Sequence, residues 1–329
     1  MSAIVTATAF WVTRPGIGEL KHEALTAIGE EDVLVHALYS GVSRGTESLV
    51  FNARVPESEF DRMQAPFQSG QFPAPVKYGY CSVGRVKQGP AHLLGKTVFC
   101  LFPHQNRYVV PAAMVLPVPD EVPAERAVLA ANMETAINGV WDAEPMLGER
   151  ITIIGAGVVG CLVAYLCSRI AGVKATLVDI NPERQVIAER LGLTFCTPDQ
   201  ALDDQDCVIH ASGHPEGLRQ ALDLVGNEGR IIEMSWFGEG EIRLPLGGAF
   251  HSQRLSLRAS QVGQLPAKLR PRWDYQRRLA LALSLLADSQ LDALINSESD
   301  FEMLPQLAPQ LFSSDSNVLC HRLRYSSAN

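Results

Sequence analysis

No two cysteines of this chain form a C-x-x-C pair, and the seven it has, at positions 81, 100, 161, 167, 196, 207 and 320, are scattered and odd in number. A disulfide framework is thereby excluded, and the pattern is that of reduced thiols in a cytoplasmic protein. Positive charge is also short. The 28 Lys and Arg against 36 Asp and Glu leave a net charge of −8, which argues against nucleic acid or an anionic membrane surface as partner. The opening residues, MSAIVTATAFWVTRPG, carry no basic segment ahead of their apolar ones, so no secretory signal is expected. Internal repeats and low-complexity tracts are missing. One uncharged run of 18 residues, 151–168, is at the short end for a bilayer span, and three glycines at turn spacing inside it fit a buried element better. With 47% hydrophobic and 19% charged residues over 329 positions, the composition is that of an ordinary globular protein, long enough for two domains.

The chain is organised around residues 151–179, ITIIGAGVVGCLVAYLCSRIAGVKATLVD. An apolar run of strand length leads into Gly155, Gly157 and Gly160 in G-x-G-x-x-G order. An apolar segment of helical length then ends at Gly172, and a second β-rich run delivers Asp179. Each part meets a need of dinucleotide binding. Gly155 permits a sharp turn out of the strand, Gly157 lets the backbone approach a pyrophosphate, and Gly160 lets the helix pack close to the strand. The helix start at Val158 and Val159 offers unpaired N–H groups and a partial positive charge. Asp179 lies 19 residues after Gly160, near the spacing of an acid that accepts hydrogen bonds from an adenosine ribose. A carboxylate there repels a 2′-phosphate, and no basic residue follows until Arg184, so NAD is the expected cofactor.

Residues up to about 117 read as short β-runs between Gly and Pro (3–12, 32–39, 81–86, 97–101, 108–110), which suggests a compact β-rich domain. Four prolines in 52–75 mark an irregular excursion that either lines a substrate cleft or is a plain surface loop. From about Pro123 the pattern changes to helix over 125–141, strand 151–154, helix 183–191, strand 207–210, helix 215–225 and strands 230–234 and 255–259. Such alternation predicts an α/β class with a doubly wound parallel sheet. Ligands of such sheets bind beyond the carboxyl ends of the strands, so Ser212, Ser235 and Trp236 are expected near the cofactor, with His210 buried at its strand end. The basic stretch 268–278 reads as a solvated hinge or helix start, 279–294 as a core helix and 318–323 as a last β-run.

With this order of parts, and with the segments Gly41-Val42-Ser43-Arg44-Gly45-Thr46-Glu47 and Gly79-Tyr80-Cys81-Ser82-Val83-Gly84 beside the fingerprint at 155–160, the chain resembles the medium-chain dehydrogenase/reductase superfamily over nearly its whole length. The resemblance implies a GroES-like catalytic domain in residues 1–130, a Rossmann NAD-binding domain in 131–268 and a return to the catalytic domain in 269–329. It also implies a small-molecule substrate and a homo-oligomer, with a dimer favoured. Zinc alcohol dehydrogenases of the superfamily carry Cys where this chain has Ser43, His-Glu where it has Tyr80-Cys81, and a third ligand near Ala131. Their four-cysteine structural lobe is reduced here to Cys100. A catalytic zinc needs about three N, O or S ligands and an open position, so no metal is expected; Cys81 with His104 falls below that count. The segments 40–47 and 80–86 look most like the bacteriochlorophyllide dehydrogenase branch, which oxidises a hydroxyethyl group on a tetrapyrrole.

The expected reaction is hydride transfer between NAD(H) and an organic alcohol or carbonyl in a cleft between the domains, with the protein handling the proton. Zinc lowers the pKa of a bound water from about 16 to about 7, whereas a phenol near pKa 10 supplies only part of that help. A zinc-free site therefore more easily reduces a carbonyl or acts on an activated substrate. Tyr80, standing where the family has a ligand facing the nicotinamide, is the first candidate proton donor, followed by Ser43 and Glu47. Packing roles stand beside these: Tyr80 filling vacated metal space, Ser43 in a turn, Glu47 paired with Arg44. By the same resemblance Arg44 meets the pyrophosphate and Thr135 faces the nicotinamide ring, with Glu134 in the cleft or on the helix surface. Two other functions stay open. One is a zinc-free quinone or enoyl reductase, which a NADPH preference would favour; the other is an NAD-binding sensor without turnover.

Overall fold

The computed structural model describes residues 6–326. The chain divides into two units, one of residues up to 131 together with those from 283 onward, the other of residues 132–282.

In the second unit the alternation of strand and helix closes into one parallel sheet. Its strands lie in the order Thr194–Cys196, Lys174–Val178, Arg150–Ile154, Gln205–His210, Val225–Glu233 and Ser256–Ala259. Arg150–Ile154 has neighbours on both sides, and Ile151 and Ile153 are fully buried, as a strand covered on both faces requires. The chain runs outward from this strand in one direction, then returns to its other side. The crevice at that reversal is where a doubly wound sheet takes its ligand. The helices Val158–Cys167 and Pro215–Leu224 cover the sheet, with Ile154, Val178, Val208, Leu218 and Ile231 in one core cluster. The α/β class and parallel sheet expected from the sequence are present.

Several boundaries differ from the expectations. The helix expected to reach Gly172 stops at Cys167, and a turn leads to Gly172 at φ +77°. The 125–141 helix is two, Ala124–Ala127 and Ala130–Ala143. The 279–294 helix is Tyr275–Leu285 followed by a 3₁₀ segment, Ser289–Leu294, started by the Asp288 side chain accepting from the Gln290 N–H. Thr194–Cys196, three residues long, is too short for periodicity to mark.

In the first unit the strand Asp32–Val42 is central. It pairs antiparallel with Ser82–Gln88 on one side, and on the other with Arg107–Pro111 and Cys320–Arg324 along different stretches. Val33, Val35, Val86, Val98, Tyr108 and Val110 fill the core beneath it. Thr6–Arg14 pairs with Ile17–Ala24; residues 3–5 of the expected first run lie outside the described residues. Ile17–Ala24 and Ile295–Asp300 were not marked by the sequence, because both are polar and half-exposed along their length. The 52–75 excursion holds only a 3₁₀ turn, Glu57–Glu59, and a two-residue strand, Ser69–Gly70. Among the described residues no helix is long and apolar enough to cross a membrane.

Arg126 fastens residues from 283 onward to the rest of this unit. Its buried guanidinium grips the Asp292 carboxylate at 2.7 and 2.8 Å and donates to the Leu286 and Ala287 carbonyls at 3.1 Å each. Asp292 is itself 60% exposed, so the carbonyl bonds carry more of the stabilisation than the ion pair. Arg126→Ala is expected to lower the free energy of unfolding by about 2–3 kcal/mol, leaving buried carbonyls unpaired, and Asp292→Asn by about 1 kcal/mol or less. Urea denaturation of the two variants checks the order; equal effects would assign the stabilisation to the ion pair alone.

Candidate active site

The turn after Arg150–Ile154 depends on positions without side chains. Gly155 has φ +107°, and a Cβ there would stand 2.7 Å from the Ser212 backbone. A Cβ on Gly160 would stand 1.8 Å from the Gly155 carbonyl oxygen. The helix Val158–Cys167 thus begins pressed against the turn, with Gly157 as its N-cap and open space beside that glycine. Val158 and Val159 lie in its first turn, where N–H groups have no intrahelical acceptor and the helix dipole is positive. Asp179 follows Lys174–Val178. Its Oδ2 accepts the Ala156 N–H at 2.7 Å and its Oδ1 that of Asn181 at 2.8 Å. The expected ribose acid is therefore held beside the glycine turn. Arg184, half-buried, lies near Cys161: burial pushes that thiol up to about 12, and the Arg184 charge opposes the rise.

On the neighbouring strand His210 is fully buried. Its Nδ1 is 2.7 Å from Glu233 Oε2, and its Nε2 is 2.6 Å from Ser212 Oγ. A carboxylate at Nδ1 keeps the proton there, so Nε2 accepts the Ser212 hydroxyl. Ser212 Oγ accepts the His214 N–H at 3.1 Å, and Ser235 Oγ accepts the Gly213 N–H at 3.0 Å. Ser212 and Ser235 are thus brought together where the strand ends predicted them, and the half-buried Trp236 follows. Glu233 was missed. Its signal was an acid closing the strand after Ile231-Ile232, and the register sets it opposite His210. On the helix Ala130–Ala143, Thr135 is half-buried, and Glu134 forms a buried pair with Arg278 at 3.0 Å. Burial raises the Glu134 pKa while Arg278 pulls it back.

In the first unit the helix Arg44–Phe51 starts at Ser43, whose N–H donates to Glu47 Oε1 at 2.7 Å. Glu47 Oε2 meets His104 Nε2 at 2.9 Å, His104 Nδ1 meets Ser40 Oγ at 2.8 Å, and Ser40 Oγ meets the Tyr325 hydroxyl at 2.9 Å. All four side chains are buried. Gly79, at φ +120°, lets the chain pass the His104 ring, which a Cβ would approach to 3.0 Å. Tyr80 follows, half-buried, its phenol against the hydroxyls of Ser43 and Thr46. Burial raises the Tyr80 pKa well above its usual 10; Cys81 and Glu47 add to the rise and the two hydroxyls oppose it. Ser43, Glu47 and Tyr80 are therefore brought together, while the Arg44 guanidinium donates to the Ser316 carbonyl.

Ser43, Tyr80 and Ala131, where the resemblance puts zinc ligands, are a hydroxyl, a phenol and a methyl group, and burial raises the pKa of the neighbouring Cys81 thiol, whereas zinc binds the thiolate. Among the described residues no three His, Cys, Asp or Glu side chains are grouped to hold a metal ion. A dinucleotide does fit the glycine turn, with open backbone at Gly157 and a carboxylate at Asp179.

No protein-family model matches the chain. An L-threonine 3-dehydrogenase of Rhizobium rhizogenes is 28% identical over 117 residues, 36% of this chain and 33% of that enzyme. This chain thus spans only about a third of that relative's length. L-idonate 5-dehydrogenase of Escherichia coli superposes with a TM-score of 0.80 at 16% identity, covering 98% of this chain and 99% of that one. A short chain alcohol dehydrogenase of E. coli CFT073, complexed with NADH, superposes with a TM-score of 0.76 at 16% identity, covering 97% and 99%. At such identities the likeness establishes the fold: a Rossmann sheet joined to a β-rich unit, as in these dehydrogenases.

Proposed function

We propose that this chain is an NAD(H)-dependent oxidoreductase that interconverts an organic alcohol and a carbonyl by hydride transfer, without catalytic zinc. The observation that carries the reading is the glycine turn, where Gly160 lies against the Gly155 carbonyl and Asp179 grips the Ala156 N–H. When bound, NAD(H) donates or accepts the hydride. Val158 and Val159 present the helix N-terminus to a pyrophosphate, and the outer lone pairs of Asp179 accept from ribose hydroxyls. Arg44 and Thr135 are assigned to the pyrophosphate and the nicotinamide ring by the resemblance noted above.

Tyr80 is assigned the proton. Burial, with Cys81 and the Glu47 charge, keeps its phenol neutral in the free site, so at neutral pH it donates a hydrogen bond; in alcohol oxidation the same oxygen takes the proton back. In carbonyl reduction the Tyr80 O–H gives its proton to the developing alkoxide, a far stronger base than the phenolate. Glu47, fixed by Ser43 and His104, keeps its charge facing that phenol. The tetrapyrrole hydroxyethyl group indicated by residues 40–47 and 80–86 is a first substrate to try, beside simple secondary alcohols and their ketones.

Tyr80→Phe should lower kcat for carbonyl reduction by about 10²–10⁴ with NADH affinity unchanged, measured in single-turnover kinetics. Because the raised pKa keeps the acid form present, the native rate should stay level from about pH 7 to 10; unchanged turnover in the variant removes Tyr80 from the reaction. NADPH should bind at least about tenfold more weakly than NADH, since the Asp179 carboxylate repels the 2′-phosphate; equal affinities would count against the assignment. Tight NADH binding with no hydride exchange in any substrate mixture would leave a sensor, not an enzyme. Protein from zinc-supplemented cells should hold almost no zinc by mass spectrometry. One zinc per chain surviving dialysis would overturn the zinc-free mechanism and make Cys81, His104 and Glu47 the first ligands to replace.

A further inference from the structure

Residues opposite each other on adjacent antiparallel strands bring their side chains within about 4.5–5.5 Å. In the first unit His36, on Asp32–Val42, stands opposite Arg85 of Ser82–Gln88 on one side and opposite Arg107 of Arg107–Pro111 on the other. Lys87, two residues beyond Arg85, projects to the same face. Three permanent cations and one imidazole therefore share one patch of sheet. Adjacent like charges destabilise a sheet, and three other arginines on strands are neutralised: Arg322 pairs with Glu298, Arg324 with Asp300 and Arg150 with Asp204. Arg85, Lys87 and Arg107 form no ion pair among the described residues. On a chain of net charge −8, cations with no acid paired to them are a place for a mobile anion.

The same four side chains border a cavity of about 120 Å³, completed by Asn106 and Ser326. Positive potential there is registered by His36, whose pKa lies below its usual 6.5 through burial and through the charges of Arg107 and Lys87. That space is ample for a single tetrahedral oxyanion. Guanidinium forks match two phosphate oxygens at once, and an ammonium adds a point charge; the Asn106 amide NH2 adds a neutral donor, while the Ser326 hydroxyl donates to Glu302 at 3.4 Å.

We infer that this cavity is a binding site for a phosphate-type oxyanion, either free orthophosphate or the phosphate group of a small ester, separate from the glycine turn of the second unit. Arg107 and Arg85, whose Nη1 also donates to the Gly95 carbonyl at 2.8 Å, reach the oxygens from the two strands that flank Asp32–Val42, with Lys87 beside Arg85. The inference does not depend on the proposed reaction.

The test is an NMR titration of the full chain at constant ionic strength, with orthophosphate and glycerol 3-phosphate exchanged for chloride. The His36 imidazole signal, assigned with His36→Gln, should shift saturably. Its titration midpoint should move to higher pH, because a bound dianion favours the imidazolium. Tighter binding of the ester would identify an ester ligand, and tighter binding of orthophosphate the free ion. Arg107→Ala and the exposed Lys87→Ala should each weaken binding about tenfold or more with the melting temperature and NADH affinity unchanged. A shift that grows linearly without saturating, one that chloride reproduces, or one that survives in both variants overturns the inference.

Discussion

The contact between Gly160 and the Gly155 carbonyl constrains the second unit. With a would-be Cβ only 1.8 Å from that oxygen, any side chain at 160 must lift the helix Val158–Cys167 from the turn that it follows. The helix axis, the exposure of its first N–H groups and the path of the turn are therefore one geometric fact. Gly155 extends it across the sheet, since its own missing Cβ makes room for the Ser212 backbone. The end of Gln205–His210 is set by the same turn. Behind it, His210 and Glu233 hold Ser212 from below, so the crevice rests on a buried polar pair as well as on close packing.

The first unit is built on a different principle. Its candidate residues hang on a buried chain of hydrogen bonds, Tyr325 to Ser40 to His104 to Glu47 to the Ser43 N–H. A buried polar network stabilises only when every member is satisfied, and here each one has its partner. One carboxylate, fixed this way, adds to the rise that burial gives the pKa of both Tyr80 and Cys81. The network also reaches from the helix Arg44–Phe51 to a residue near the chain's end, so the environment of Tyr80 depends on Tyr325 being in place.

What could be read from the sequence follows from range. The glycine turn, Asp179 and the parallel sheet were legible because their determinants lie within one strand–helix–strand unit and repeat a local period. That Ser212 and Ser235 stand just beyond adjacent strand ends followed from the same alternation of strand and helix. Glu233 was not, since its partner His210 lies on another strand and only register brings them together. Nor was the role of His104, which meets Glu47 across 57 positions and Ser40 across 64. The polar strand Ile295–Asp300 was hidden for another reason. Among the described residues it lies at a sheet edge, pairs only with Cys320–Arg324 and needs no apolar face.

The grip of Asp179 on Ala156 and Asn181 has a thermodynamic consequence. A loop that must become ordered around a ligand charges its lost conformational freedom against affinity. Here the carboxylate orders the loop from within, so that entropy is lost when the chain folds. Binding then begins from a turn already in its final shape. The same side chain is thus tied to two equilibria, and removing it would loosen the fold around the turn as well as the proposed hold on a ribose.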